Sequence, residues 1–250
     1  SIRDPPPINF TAGPKYTLGS TGVAGGTGPS AFTPGIQGKL TIDGQLDNDT
    51  VIINNQDGAA SDSGTLETYT DADGSHYRLA GLGMGTDGLT YANTENVTIH
   101  MGAGDDQFTV DAIDSVTSVT LNLGNGNDHV DVTAMEGNLT INGGAGDDTV
   151  TAGSLAPVLT GGMMAGIAGA LSFSGDAGSD TLNIDDTAAS SDSQAVLTGT
   201  ALSGLGMGLG VTSYTIDTLN IRLGDYDDLV EVQGTSAATH SWGNGGDDVF

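Results

Sequence analysis

The strongest constraint on this chain is a short acidic glycine turn that comes back at a nearly constant interval. Residues 99–110 read IHMGAGDDQFTV, residues 121–132 read LNLGNGNDHVDV and residues 141–150 read INGGAGDDTV. Asp106 and Asp128 are 22 residues apart, and Asp128 and Asp148 are 20 apart. Looser copies surround Asp180 (residues 175–182), Asp228 (223–230), Asp247 (243–249) and Asp49 (47–51). In all seven, an apolar residue stands two positions after the key aspartate. Alternating apolar residues flank the turns, which is the period-two pattern of strands buried on one face. Glycine accepts positive φ and lets backbone approach closely, so such a turn can aim carbonyl oxygens inward beside an aspartate carboxylate. Hard oxygen donors of this kind suit Ca2+. One turn supplies part of a coordination shell, and a second turn stacked about 4.8 Å away supplies the rest. The repeat therefore predicts an all-β stack of strand–turn rungs sharing several calcium ions.

Bound cations would also answer the charge. The 250 residues carry 32 Asp and Glu against 5 Lys and Arg, a formal net charge of −27, and a compact body so charged repels itself. Low hydrophobicity with high charge is the usual mark of disorder, but 36% of this chain is apolar and falls into strand-like runs such as residues 119–123. So acidic a surface excludes nucleic acid as a partner. There is no cysteine, so the fold does not rest on disulfides. No apolar run approaches the ~18 residues of a membrane helix, and no membrane insertion is expected. The nearest stretch, residues 161–171, is Gly-rich and reads as an irregular turn of the coil. With no initiator Met and no signal peptide at Ser1, a mature form or a fragment is expected.

A longer repeat lies above the short one. The segment GLGMG at 81–85 returns at 204–208, an offset of 123, and residues 99–106 match 221–228 at 122. Upstream, residues 60–63 match 190–193 at 130, which implies an insert of about eight residues within 65–78 of the first copy. The chain divides on this basis into an extended Gly/Pro-rich leader or docking segment (1–38), a first module (39–170) and an incomplete second module (171–250), with the chain expected to continue past Phe250. Arg3, Lys15 and Lys39 face a single acid, Asp4, at the start, whereas the other 31 acids face only Arg78 and Arg222. The basic leader, with Ile8, Phe10, Tyr16 and Phe32, is expected to be a linker, to lie along the acidic body or to dock on a neighbouring copy.

The turns resemble the Gly-Gly-x-Gly-x-Asp-x-apolar-x nonapeptide of the RTX, or haemolysin-type calcium-binding, repeat family. In register are Gly102, Gly104, Asp106 and Phe108; Gly124, Gly126, Asp128 and Val130; and Gly143, Gly144, Gly146, Asp148 and Val150. The resemblance implies a right-handed parallel β-solenoid (β-helix or β-roll) with Ca2+ in its turns, in a secreted or bacterial cell-surface protein. The candidate metal residues are Gly102, Gly104, Asp105, Asp106, Gly124, Gly126, Asn127, Asp128, Gly144, Gly146, Asp147 and Asp148, joined by Asp176, Gly178, Asp180, Asp225, Asp227, Asp228, Asp247, Asp248, Asp47 and Asp49. Tandem nonapeptides would put a turn on both sides of a rung of about 18 residues. Here one turn occurs per 20–22 residues, which predicts a single column of ions along one side. The opposite corners at 112–118 and 134–137 carry no such code. Sparse turns within long modules look most like the giant repetitive surface proteins and adhesins of bacteria.

Catalytic signals are weak. Lyase or epimerase chemistry needs a base and a cation beside the sugar carboxylate, yet Arg78 and Arg222 have no evident partner in the sequence. His100 and His129 alternate with apolar residues and should point outward. The expectation is a non-enzymatic structural or adhesive module of a filament, surface layer or giant adhesin. It would associate head to tail or lie within a longer chain, and could contact a cell surface or polysaccharide. The alternative is a calcium-binding accessory module of a secreted enzyme or toxin.

Overall fold

The structure, a computed structural model, describes residues 36, 38–46, 48–56, 60–72 and 74–250, and the backbone of 15–18. Most of the leader, and the candidate ligand Asp47, lie outside the described residues. Among these residues there is no helix, and no segment able to cross a membrane as one. The first strands are β1 (Lys15–Leu18), β2 (Leu40–Asp43), β3 (Thr50–Asn54), β4 (Ser63–Asp71), β5 (Gly74–Gly81), β6 (Leu89–Ala92) and β7 (Asn96–His100). The middle of the chain forms β8 (Gln107–Val110), β9 (Ser118–Asn125), β10 (His129–Val132), β11 (Asn138–Ala145), β12 (Thr149–Ala152), β13 (Leu171–Ala177) and β14 (Thr181–Asp185). The last are β15 (Gln194–Leu197), β16 (Leu202–Gly204), β17 (Val211–Thr215), β18 (Thr218–Arg222), β19 (Leu229–Val232) and β20 (Ala238–Trp242).

These strands form two ten-stranded, mostly parallel sheets between which the chain alternates. The first sheet runs β1-β3-β7-β9-β11-β13-β17-β16-β15-β19, and the second β2-β6-β5-β4-β8-β10-β12-β14-β18-β20. In-register pairing stacks like on like: Ile99, Leu121, Ile141 and Phe173 form one inward column, and Phe108, Val130, Val150, Leu182 and Leu219 face them from the other sheet. All are at most 2% exposed. Each such side chain contributes about 1.5–3 kcal/mol by leaving water. A one-residue slip would turn the whole set outward, so the alternation fixes the register. The outer face is polar and also stacked: Asn142 Nδ2 donates to Asn122 Oδ1 at 2.8 Å, and Asn122 Nδ2 lies 3.2 Å from His100 Nδ1.

Two antiparallel meanders interrupt the parallel order, β4-β5-β6 in the second sheet and β15-β16-β17 in the first. They mark the long repeat. Every pairing among β1–β9 recurs among β12–β20, eleven strands later: β1–β3 as β12–β14, β4–β8 as β15–β19, β7–β9 as β18–β20. The GLGMG turns superpose in conformation, with φ of 84°, 51° and 71° at Gly81, Leu82 and Gly83 against 96°, 53° and 71° at Gly204, Leu205 and Gly206. Gly85 N–H donates to Ile36 O, and Gly208 N–H to Ile167 O. The expected insert is the longer hairpin β4–β5, of nine and eight residues, against four and three in β15–β16. The module boundaries differ from expectation. Ile36 and β1 hold places within the first copy that Ile167 and β12 hold in the second, so a division at 170/171 falls inside the second copy. Because eleven is odd, each copy presents its elements on the opposite sheet from the last. Residues 161–171 do form an irregular turn, with Met164 and Ile167 buried and Ile167 bridging to Met135.

Candidate metal turns and their aspartate ladders

Asp106, Asp128, Asp148 and Asp180 sit at one corner, where the chain leaves the first sheet for the second, and each is at most 2% exposed. Asp49, Asp228 and Asp248 sit at the opposite corner, where it returns. The single column expected from the spacing is therefore corrected to two, because the odd strand count per module swaps the corners. The key residue of the last turn is Asp248 rather than Asp247: Val249 bridges Leu229, which places Asp248 beside Asp228.

Each buried carboxylate holds the backbone of the rung before it. Asp106 Oδ1 accepts the N–H of Asp62, Asp128 Oδ1 that of Asp106, Asp148 Oδ1 that of Asp128, and Asp180 Oδ1 that of Asp148, at 2.7–3.0 Å. Asp217 ends this ladder by accepting the Asp180 N–H, and Glu95 does the same for Asp49. At the other corner Asp228 accepts from Ser193, and Asp248 from Asp228. A second, outer ladder runs the opposite way. Asp105 accepts the N–H of Asn127, Asn127 that of Asp147, Asp147 that of Ser179, and Asp227 that of Asp247. Apart from the one accepted by the neutral Asn127, these bonds join carboxylate acceptors to amides and are the stronger kind.

The glycines are required by the stacking. Gly104, Gly126, Gly146 and Gly178 have φ of 136°, 136°, 131° and 145°. A Cβ at Gly126, Gly146 or Gly178 would lie 1.8–2.0 Å from the carbonyl oxygen of the preceding glycine of the column. Gly143 opens a small cradle instead: a Cβ there would lie 2.2 Å from Asp148 Oδ2 and 2.7 Å from Gly175 O. Gly175 and Gly243 stand likewise against Oδ2 of Asp180 and Asp248.

The other carboxylate oxygen bears on whether a cation fits these turns. Oδ2 of Asp106, Asp128, Asp148 and Asp228 is buried with no hydrogen-bond partner, a costly state for a charged group. Desolvation, reinforced by neighbouring carboxylates, pushes Asp106 up to about 6 and Asp148 up to about 7. Asp128, Asp180 and Asp228 shift the same way for the same leading cause. Among the described residues no three acidic, His or Cys side chains converge. A hard cation fits these turns only with one leftover carboxylate oxygen per rung and glycine carbonyls such as Gly175 O completing the shell.

A pH dependence follows. The folded values lie above the usual ~3.9, so the ion-free fold binds these protons more tightly than the unfolded chain. Stability is then fullest below about pH 4 and falls as pH rises through about 6 to 7. In chelator, the melting temperature followed by circular dichroism is expected to drop across that window; a rising or flat profile contradicts the burial of these carboxylates.

The remaining candidates have other places. Asp105, Asn127, Asp147, Asp227 and Asp247 are exposed and serve the outer ladder. Asp176 and Asp225 are exposed; Asp176 takes a left-handed φ of 66° and accepts from Ser174 Oγ. Sequence reasoning missed Asp62, Asp217 and Glu95 as ladder residues; they end the ladders and lie outside the acidic glycine turns. It also missed Asp185 and Asp186, whose carboxylates hold the 161–164 turn through the N–H groups of Gly162 and Met164. Arg78 does have a partner, bonding Glu67 and lying 4.0 Å from the Tyr69 ring, while Arg222 lies over Trp242 at 4.6 Å. His129 Nε2 is 2.8 Å from Asp131 Oδ1, and that hydrogen bond raises its pKa. A cleft of about 470 Å³ is lined by Met163, Leu205, Asp186, Asp192 and serines, among other residues, with no His, Lys or Arg. Set against protein families, curated proteins and solved structures, the chain matches none.

Proposed function

We propose that this chain is a non-enzymatic, calcium-stabilised structural or adhesive module of a secreted or bacterial cell-surface protein, a building block of a filament, surface layer or giant adhesin. The observation that carries this reading is the row of buried Asp106, Asp128 and Asp148 carboxylates, each spending one oxygen on the neighbouring backbone and keeping the other unpartnered. The winding is right-handed, the sense taken by nearly all crossovers between parallel strands. Bound Ca2+ would neutralise the facing carboxylates and accept their spare oxygens. The chain's own residues do the rest: glycines bring the rungs together, Oδ1 atoms lock each turn to its neighbour, and the apolar columns fix the register.

Binding that requires the folded stack adds its free energy to folding. With affinities of about 10⁻⁴–10⁻³ M, as in extracellular modules, the turns fill only where calcium is plentiful, which favours the outside of the cell. The modules would continue head to tail or within a longer chain, with cell-surface or polysaccharide contacts on the polar outer faces. The test is thermal unfolding in chelator and in calcium. Millimolar Ca2+ is expected to raise the melting temperature by more than 10 °C, as several sites each adding about 1–3 kcal/mol would do; equal melting in both overturns the proposal. A Mg2+ control separates coordination from charge screening.

A further inference from the structure

The residue five places before each turn aspartate divides the turns into two kinds. Met101, Leu123 and Leu223 stand at that distance before Asp106, Asp128 and Asp228, while Gly143, Gly175 and Gly243 stand before Asp148, Asp180 and Asp248. Strand register stacks this position along the first corner. Met101 lies beside Leu123, Leu123 beside Gly143, and Gly143 beside Gly175. Beyond them Ile216 follows Thr215, the partner of Ser174. The column points inward: Met101 and Leu123 are at most 2% exposed, and Ile216 packs against the core. Between Leu123 and Ile216, therefore, an apolar column loses its side chains over two consecutive rungs.

Oxygens take their place. A Cβ on Gly143 would lie 2.2 Å from Asp148 Oδ2 and 2.7 Å from Gly175 O, and one on Gly175 would lie 2.1 Å from Asp180 Oδ2. Two oxygens within 2.7 Å of one point are close enough for a single Ca2+, with bonds of about 2.3–2.6 Å, to touch both. Asp148 is 0% exposed and its Oδ2 has no hydrogen-bond partner. An unpaired carboxylate oxygen is thus aimed at this place, beside a backbone carbonyl, with a second carboxylate one rung on. Where Met101 or Leu123 stands, an apolar side chain holds the equivalent position. It supplies no ligand and excludes the water that would complete a shell. An ion beside Asp106 or Asp128 then has fewer oxygens to replace its hydration.

We infer that the residue at this position sets the order in which the turns take calcium. The paired glycine rungs of Asp148 and Asp180 form the tight site, and the Met101 and Leu123 rungs form weaker ones that fill at higher calcium. The inference rests on the calcium reading and adds a rank to it. At the opposite corner Gly243 has Leu223 beside it, so a single glycine rung there lacks the paired arrangement. Rising calcium would clamp the stack first where β11–β12 meets β13–β14, and then tighten it toward β9 and β8.

The test is hydrogen exchange of the full chain, followed segment by segment across a calcium titration. Amides of residues 141–150 and 171–182 are expected to slow at about tenfold lower calcium than those of 99–110 and 121–132, a spread within that of extracellular sites. Leu123→Gly should bring the midpoint of 121–132 down to that of 141–150. Gly143→Leu should raise the midpoint of 141–150 by about tenfold or more. The order in the parent chain decides the inference even where a variant does not fold. One common midpoint for all four segments, or the reverse order, overturns it while leaving calcium binding intact. A chain whose exchange and melting ignore calcium altogether refutes the calcium reading, and the order with it.

Discussion

Replacing Gly146 with alanine is expected to be among the most damaging single changes to this fold, at about 3 kcal/mol or more. Two effects combine. At φ 131° an L side chain is strained, and the new Cβ would lie 1.9 Å from Gly126 O in the rung below. That oxygen is backbone in a paired strand–turn stack, so relief requires the rungs to separate and stretches the ladder from Asp128 to Asp148. The control is Gly199→Ala, where a Cβ meets nothing within 4 Å and a change within about 0.5 kcal/mol is expected. Urea unfolding of both variants reads the difference. A Gly146→Ala protein as stable as the Gly199→Ala protein would mean the turns do not stack as closely as described.

The second large effect separates the two oxygens of one carboxylate. Asp128 Oδ1 accepts the Asp106 N–H at 2.8 Å, and Oδ2 is buried and unpartnered. Asp128→Asn keeps the acceptor and removes the charge; Asp128→Ala removes both. Without calcium, the Asn variant should match or exceed the parent at about pH 8, because it sheds a desolvated charge near Asp105. The Ala variant should lose about 1–3 kcal/mol by leaving a buried N–H unsatisfied. With calcium the order changes. The parent gains most, and the Asn variant lacks the contribution of that site, about 3 kcal/mol at a hundredfold excess over Kd. Melting curves of the three proteins in chelator and in calcium check this. Equal gains in all three would place the ion elsewhere.

Much of this architecture is legible from residue pattern, because the glycine column and the apolar alternation are local and repeat at rung length. Asp106, Asp128 and Asp148 share a corner for that reason. What was missed has a common cause: it depends on which strands meet rather than on neighbours in the chain. The meander β4-β5-β6 leaves no mark beyond a shift in repeat offset. The return of Asp228 to the opposite corner follows from counting strands, which sequence spacing does not do. The ladders were invisible because an aspartate suited to a metal is equally suited to a backbone N–H, and only stacking shows that one oxygen is already used. A signal for the true module length was present. Residues 35–44 and 166–175 share Gly-Ile-x-Gly-x-Leu-x-apolar-x-Gly at an offset of 131, which would have drawn Ile36 and its surroundings into the first copy.

In this coil acidity serves cohesion: the stacked turn aspartates, which would repel one another, are each tied by Oδ1 to a neighbouring rung's backbone, and the proposed cation would take the spare Oδ2 of Asp106, Asp128 and Asp148. The most direct measurement is an anomalous-difference map, at a wavelength where calcium scatters, from crystals grown in calcium. Peaks within about 2.3–2.6 Å of Oδ2 of Asp106, Asp128 and Asp148, spaced at the rung repeat, are the predicted result. An intact ladder with no peak beside any of these oxygens, at calcium concentrations that saturate extracellular sites, would contradict the account.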